Sequence, residues 1–401
     1  MSAAGPPQGA RPLGGEGREA HFGGDHTSAG PPSVGTPGAR PLEGEGREAP
    51  SGGIALGDLA HGRDNNFQLL RLFAAAFVVL FHSYALTGRW THEPLWKLAP
   101  ELNFGALGVK IFFVISGFLV TQSWLARHAV RPFVAARVLR IYPALVAATL
   151  FTVVLAGVSS TLPAGAFVAD PQTIDYAWRV ALGFDMVYRL PGAFPANPFP
   201  HDVNGSLWTL PIELRLYVAL LAAGVLGLLA RRAAWLAVVA VLVAAFAVRP
   251  EWFPLAPNDR VVRELALLFG LGSLAWVWRD AVPVSLGGAL AAVLLIAWNP
   301  GGLTRETLFA PLLAYVVLVL AYHPRLQVSA YRHAGDYSYG LYVYSFPLQQ
   351  TLMQRLPGLE PTGLLALSLP LSLAVAALSW HLLEAPALAL KSRFAETRDP
   401  P

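Results

Sequence analysis

FQLLRLFAAAFVVLFHSYALT, running from Phe67 to Thr87, is the stretch whose reading decides the fold. It is apolar and long enough to cross a bilayer, for which about 20 residues are needed. Two of its residues are foreign to lipid, Arg71 and His82. At about 100° per residue, the interval between them closes three helical turns with roughly 20° left over, so both side chains share one face. At about 1.5 Å rise per residue, His82 stands roughly 16 Å along the axis from Arg71. In a hydrocarbon core of about 30 Å, this puts Arg71 near one surface and His82 at or past the middle. Ionisable groups at such depth are costly and face a cavity or a partner. Taken singly, Arg71 reads as a snorkelling anchor and His82 as a hydrogen-bonding helix-packing residue. Together on one face, they predict a site running from the membrane surface inward.

The rest of the 401-residue chain agrees with a membrane setting. It is 54% hydrophobic and 13% charged, against about 25% charged in soluble domains. The net charge of +4 gives no reason to expect nucleic acid, because basic residues in such a chain chiefly report orientation. Cysteine is absent, which excludes disulfides, a thiol nucleophile and thiolate metal sites. No metal site is expected.

Moving outward, further apolar stretches are centred on residues 104–125, 138–158, 206–230, 233–248, 261–278, 284–298, 306–322, 335–354 and 362–383. The expected fold is therefore all-α: a polytopic membrane protein with about ten transmembrane helices. Residues 1–62 form a tail rich in Gly, Pro, Arg and Glu, in which ARPLGGEGREA (Ala10–Ala20) returns as ARPLEGEGREA (Ala39–Ala49). Such a segment has too little apolar surface to fold and reads as disordered. Residues 63–390 are then the membrane domain and 391–401 a short tail. Short basic connections around Arg127, Arg131, Arg231 and Arg232 favour both termini in the cytoplasm and a cell-membrane location.

Several clusters could carry chemistry. Arg137 and Arg140, in RVLRIYP, are three apart and share a helix face. Two guanidiniums there can clamp a phosphate or pyrophosphate, though enforcing topology or greeting anionic lipid is the plainer reading of that basic run. Glu213, in SLWTLPIELRLY, is an embedded carboxylate that could orient a histidine, bind a hydroxyl or pair with Arg215. In GDYSYGLYVYSFP (Gly335–Pro347), the tyrosines read as an interfacial belt and Asp336 as a helix cap. His381 and Glu384, in WHLLEAP, read as anchors and caps. Ser116 and Gly117, small residues in a bulky span, read as a point of close helix approach. No nucleophile elbow, phosphate loop or H-E-x-x-H motif occurs.

In order, Arg71-x10-His82, GVKIFFVISGFL, RVLRIYP, SLWTLPIELRLY, GDYSYGLYVYSFPL and the closing Glu384–Pro386 resemble the integral-membrane acyltransferase family 3, which includes bacterial O-antigen acetylases and macrolide acyltransferases. The resemblance covers about Asn65 to Pro386. It implies transfer of an acyl group, commonly acetyl, from cytoplasmic acyl-CoA to a hydroxyl of a carbohydrate or glycosylated acceptor. On that resemblance, His82 and Glu213 are the expected catalytic residues, and Arg71, Arg137 and Arg140 the expected acyl-CoA-binding ones. The expected partners are acyl-CoA, the glycan or glycosylated acceptor and the lipid bilayer. The rival expectations are a transporter or flippase of a lipid-linked molecule, which would show broken helices, and a membrane sensor, which would not need Arg71 and His82 aligned.

Overall fold

A computed structural model describes residues 54–61, 64–98, 102–183, 185–248, 259–298, 303–328 and 335–394. The expected disordered tail therefore lies outside the described residues up to 53, as does the last part of the C-terminal tail. Each of the ten apolar stretches contains a helix. We number them α1 (Phe67–Leu86), α2 (Phe104–Leu125), α3 (Val130–Val158), α4 (Leu210–Val225), α5 (Arg232–Ala247), α6 (Arg260–Val277), α7 (Leu286–Trp298), α8 (Leu303–Tyr322), α9 (Ser338–Arg355) and α10 (Pro361–Ser379). Among the described residues, extended pairing is limited to three isolated bridges. The chain is an all-helical, multi-pass membrane protein.

Among the described residues, five segments are long and apolar enough to cross a membrane: Phe67–Leu86, Phe104–Leu125, Val130–Val158, Gly205–Val225 and Pro361–Phe394. Arg232–Ala247, Leu286–Trp298 and Leu308–Tyr322 are apolar but shorter. Helices stand at all ten expected stretches, but of the ten expected spans length and composition qualify five. The reason is clearest in α9, whose residues from Ser338 to Gln350 are all buried. A helix that touches protein on every side has no need of a lipid-compatible surface, so it carries serines, glutamines and tyrosines. Helix α3 shows the opposite case. Val130, Val134, Val138, Val146, Leu150, Val154 and Val158 repeat every four residues, or multiples of four, as an exposed aliphatic stripe, the signature of a lipid-facing side.

Three local details differ from the expectation. Helix α3 begins at Val130, about eight residues early, so Arg137 and Arg140 lie within a helix rather than at its entrance. Residues at the end of the expected tail are docked: Leu56 is fully buried, and its N–H donates to the Val282 carbonyl at 2.8 Å. At the other end, Leu390–Phe394 forms a 3-10 turn packed on α3.

Pro347 leaves α9 unbroken. Proline cannot donate to the carbonyl four residues earlier, here Val343. The amide of Asn204 supplies the missing donor at 2.9 Å. Close approach of α2 and α6 rests on glycines, as expected for Gly117. A Cβ there would stand 1.9 Å from the Phe269 carbonyl oxygen, and one on Gly272 would stand 2.1 Å from that of Val114. The same crossing carries a buried ion pair, Lys110 Nζ to Glu264 Oε1 at 2.6 Å, with the ammonium also over the Phe309 ring.

Candidate active site

Three segments present polar residues at helical spacing toward one interior column. Arg71 and His82 share a face of α1, with buried Ala75 and Val78 between them. Ser206, Thr209, Glu213 and Tyr217 recur at intervals of three and four through the 3-10 turn Gly205–Thr209 and into α4. Tyr339, Tyr342 and Phe346 do the same on α9. The column therefore follows from three matched periodicities.

At one end is a cavity of about 100 Å³ whose lining includes Arg71, Arg137, Arg140, Glu213, Tyr217, Tyr339 and Tyr342, with Ser116 from α2. Four of the five expected site residues therefore meet in one space. His82 does not line it. Its Nδ1 lies 3.4 Å from Ser206 Oγ, and its ring meets Phe346 edge-on at 5.0 Å. In the cavity lining, Thr209 Oγ1 and Tyr342 OH hydrogen-bond at 2.7 Å, one helical turn from Ser206 and Phe346, the neighbours of His82.

The cavity's charges are arranged in a way the sequence did not suggest. Asp336, only 6% exposed, accepts from Arg71 NH1 at 2.7 Å and from Arg140 NH2 at 2.6 Å on the same oxygen. Its other oxygen accepts from the Ser338 hydroxyl and the Ser338 N–H. Asp336 thus does support the start of α9, as expected of a cap, but it also joins two guanidiniums from distant helices. Glu384 is fully buried and lies 3.6 Å from Arg140 NH1, accepting from Ser379 Oγ at 3.1 Å. It sits in the π turn Trp380–Glu384 that ends α10. The reading of Glu384 as an end anchor is therefore corrected: its partner is an interior arginine.

Among the described residues, Arg137 has no carboxylate within ion-pairing distance. It reaches Ser123 at 3.5 Å and lies over the rings of Phe133 and Tyr217, while its buried Nε has no hydrogen-bond partner. Glu213 turns away from Arg215, which is exposed. Glu213 instead accepts from Ser116 Oγ at 3.2 Å and from Tyr217 OH. Ser116 is thus a polar member of the site as well as a small residue at a crossing. Glu213 makes no hydrogen bond to His82; Ser206 does. No group of three or more metal-binding side chains occurs among the described residues.

Such an arrangement offers cations for a polyanion at one end, polar side chains along three helices, and an imidazole with one nitrogen engaged at the other. The family model described as "Acyltransferase domain" matches residues 64–381, which encloses all of these residues except Glu384. The chain belongs to the acyltransferase 3 family. It is an acyltransferase, and the transporter and sensor alternatives give way to that. Nodulation protein 10 of Rhizobium leguminosarum bv. viciae is 31% identical over 378 residues, covering 84% of this chain and 96% of that protein. The O-acetyl transferase of Shigella phage Sf6 is 28% identical over 334 residues, covering 80% of this chain and 95% of that protein. No solved structure matches the chain.

Sequence reasoning missed Asp336 and Glu384 as partners of the arginines, and Ser206 as the partner of His82. One signal for Asp336 was present. With alternating helix directions, a carboxylate at the start of α9 falls at the same membrane depth as Arg71 near the start of α1.

Proposed function

We propose that this acyltransferase moves an acetyl group from acyl-CoA, bound at the arginine end, to a hydroxyl of a carbohydrate or glycosylated acceptor at the His82 end. The observation that carries the reading is the single polar column, with three arginines in one cavity and His82 three turns further along the same face of α1. The name of the phage relative supports acetyl as the group and oxygen as its destination. The length of the column suits a donor whose charged end and reactive thioester are separated by a long neutral arm.

In this reading the donor's phosphates meet Arg137 and the outward donors of Arg71 and Arg140, whose inner donors stay with Asp336. The pantetheine arm passes the Thr209–Tyr342 pair. Ser206 Oγ accepts from His82 Nδ1–H and so fixes the tautomer that leaves Nε2 free as a base. Nε2 takes the proton of the acceptor hydroxyl as its oxygen bonds to the thioester carbonyl carbon. The C–S bond then breaks, and the CoA thiolate leaves to be protonated. Glu213, bonded by Ser116 and Tyr217, acts on the arginine cavity rather than on the imidazole. The cell membrane with both termini cytoplasmic is the placement that lets a soluble donor reach the arginine end.

The test is product formation. Protein reconstituted in nanodiscs is given radiolabelled acetyl-CoA and a set of glycans and glycosylated small molecules. Label appearing in an acceptor and released by mild base supports O-acetylation. Label in no acceptor, with no free CoA formed, overturns it.

A further inference from the structure

Among the described residues, the ion pairs of the cavity hold two of its three arginines and leave Arg137 outside them, and a further cation near it comes from outside the family-matched region. Arg71 and Arg140 are held by Asp336 and Glu384. Arg137 is not, and its buried Nε is unpartnered. Through Ser123 it links the cavity to the end of α2, where Arg127 follows. The C-terminal turn Leu390–Phe394 folds back onto α3, its Phe394 ring lying against the Arg131 guanidinium at 5.7 Å. Glu384 beside Arg140 and Phe394 against Arg131 bracket Lys391, partly buried, along the stretch of α3 that carries Arg137. Gathering like charges is unfavourable unless an anion joins them. Topology alone explains basic residues facing water, but not a partly buried lysine docked on the helix that carries Arg131, Arg137 and Arg140.

We propose that Lys391, with Arg127 and the free edge of Arg137, binds a phosphate ester of the acyl donor at the mouth of the cavity, so that the C-terminal turn is part of the donor site. This rests on acyl-CoA being the donor. An anionic lipid headgroup offers the same phosphate chemistry, and the experiment separates the two sources.

Wild type, Lys391→Ala and Lys391→Arg are compared in nanodiscs of phosphatidylcholine alone and with added phosphatidylglycerol. The readouts are KM and kcat for acetyl-CoA and for acetyl-pantetheine, which has no phosphate. One charge-assisted contact predicts that Lys391→Ala raises KM for acetyl-CoA about tenfold in both lipids, with most of the loss restored by Lys391→Arg. With acetyl-pantetheine the two proteins converge. An unchanged KM for acetyl-CoA overturns the proposal, as does an equal loss on acetyl-pantetheine. An effect confined to phosphatidylglycerol discs assigns the cluster to lipid and overturns it too. If wild type turns over no acetyl-CoA at all, the donor reading itself fails and the inference falls with it.

Discussion

Replacing Asp336 by asparagine tests whether the arginines at the heart of the site are held by charge. The carboxylate is buried and joins Arg71 and Arg140 at 2.7 and 2.6 Å; the arginine side chains are themselves only 22% and 17% exposed. Asparagine keeps the shape and one acceptor but removes the charge, leaving Arg140 with Glu384 at 3.6 Å and Arg71 with no ion-pair partner among the described residues. Breaking a buried pair from one side costs about 3–5 kcal/mol. The retained acceptor places the expected loss near the lower end, about 3 kcal/mol. At roughly 2–4 °C per kcal/mol for a domain of a few hundred residues, the melting midpoint in detergent should fall by about 6 °C or more. The double variant Asp336→Asn/Arg140→Gln removes one orphaned cation and should recover part of the loss, with a coupling of about 0.5–3 kcal/mol. Thermal unfolding of the four proteins, followed by tryptophan fluorescence or size-exclusion survival, measures both quantities. A midpoint within about 1 °C of wild type, or strictly additive losses, would refute the reasoning, since the arginines would then be stabilised by something other than Asp336.

Two further outcomes follow from the same geometry. Ser206→Ala removes the partner of His82 Nδ1 at 3.4 Å; a neutral hydrogen bond of about 0.5–1.5 kcal/mol predicts roughly a two- to tenfold fall in kcat with KM for the donor little changed, read from steady-state CoA release. Lys110→Met strands Glu264 at the α2–α6 crossing and should lower the melting midpoint, while Lys110→Met/Glu264→Leu recovers it; this pair lies outside the cavity lining, so a lasting loss of turnover in the recovered double variant would show that the crossing also serves the reaction.

The helices were legible because membrane helices announce themselves by length and apolarity, and Arg71 with His82 because a polar pair on one face of such a helix is conspicuous. Arg137, Arg140 and Glu213 line one cavity with Arg71, although the arginines lie within α3 rather than at its start and Glu213 bonds Ser116 and Tyr217 rather than His82. What stayed hidden depends on contacts between residues far apart in the chain. Asp336 is 265 positions from Arg71 and 196 from Arg140, and a lone aspartate before a helix looks like any cap. Glu384 resembled a helix-end residue because the π turn that buries it has no strong local signature. The early start of α3 was masked by its own arginines, which depress hydropathy although Arg137 and Arg140 turn their heads into the cavity. Ser206 is small and ordinary, and only the meeting of the turn before α4 with the C-terminal part of α1 gives it a partner.

The central claim is a two-part site, with donor binding at the arginines and proton removal at His82. It is tested most directly by measuring acetyl-CoA binding and CoA release for wild type, His82→Ala and Arg137→Ala/Arg140→Ala in the same nanodiscs. The account predicts that His82→Ala still binds acetyl-CoA while losing about 10²- to 10⁴-fold in turnover, and that the arginine variant loses binding. Equal loss of binding in both variants, or turnover that survives without His82, would contradict it.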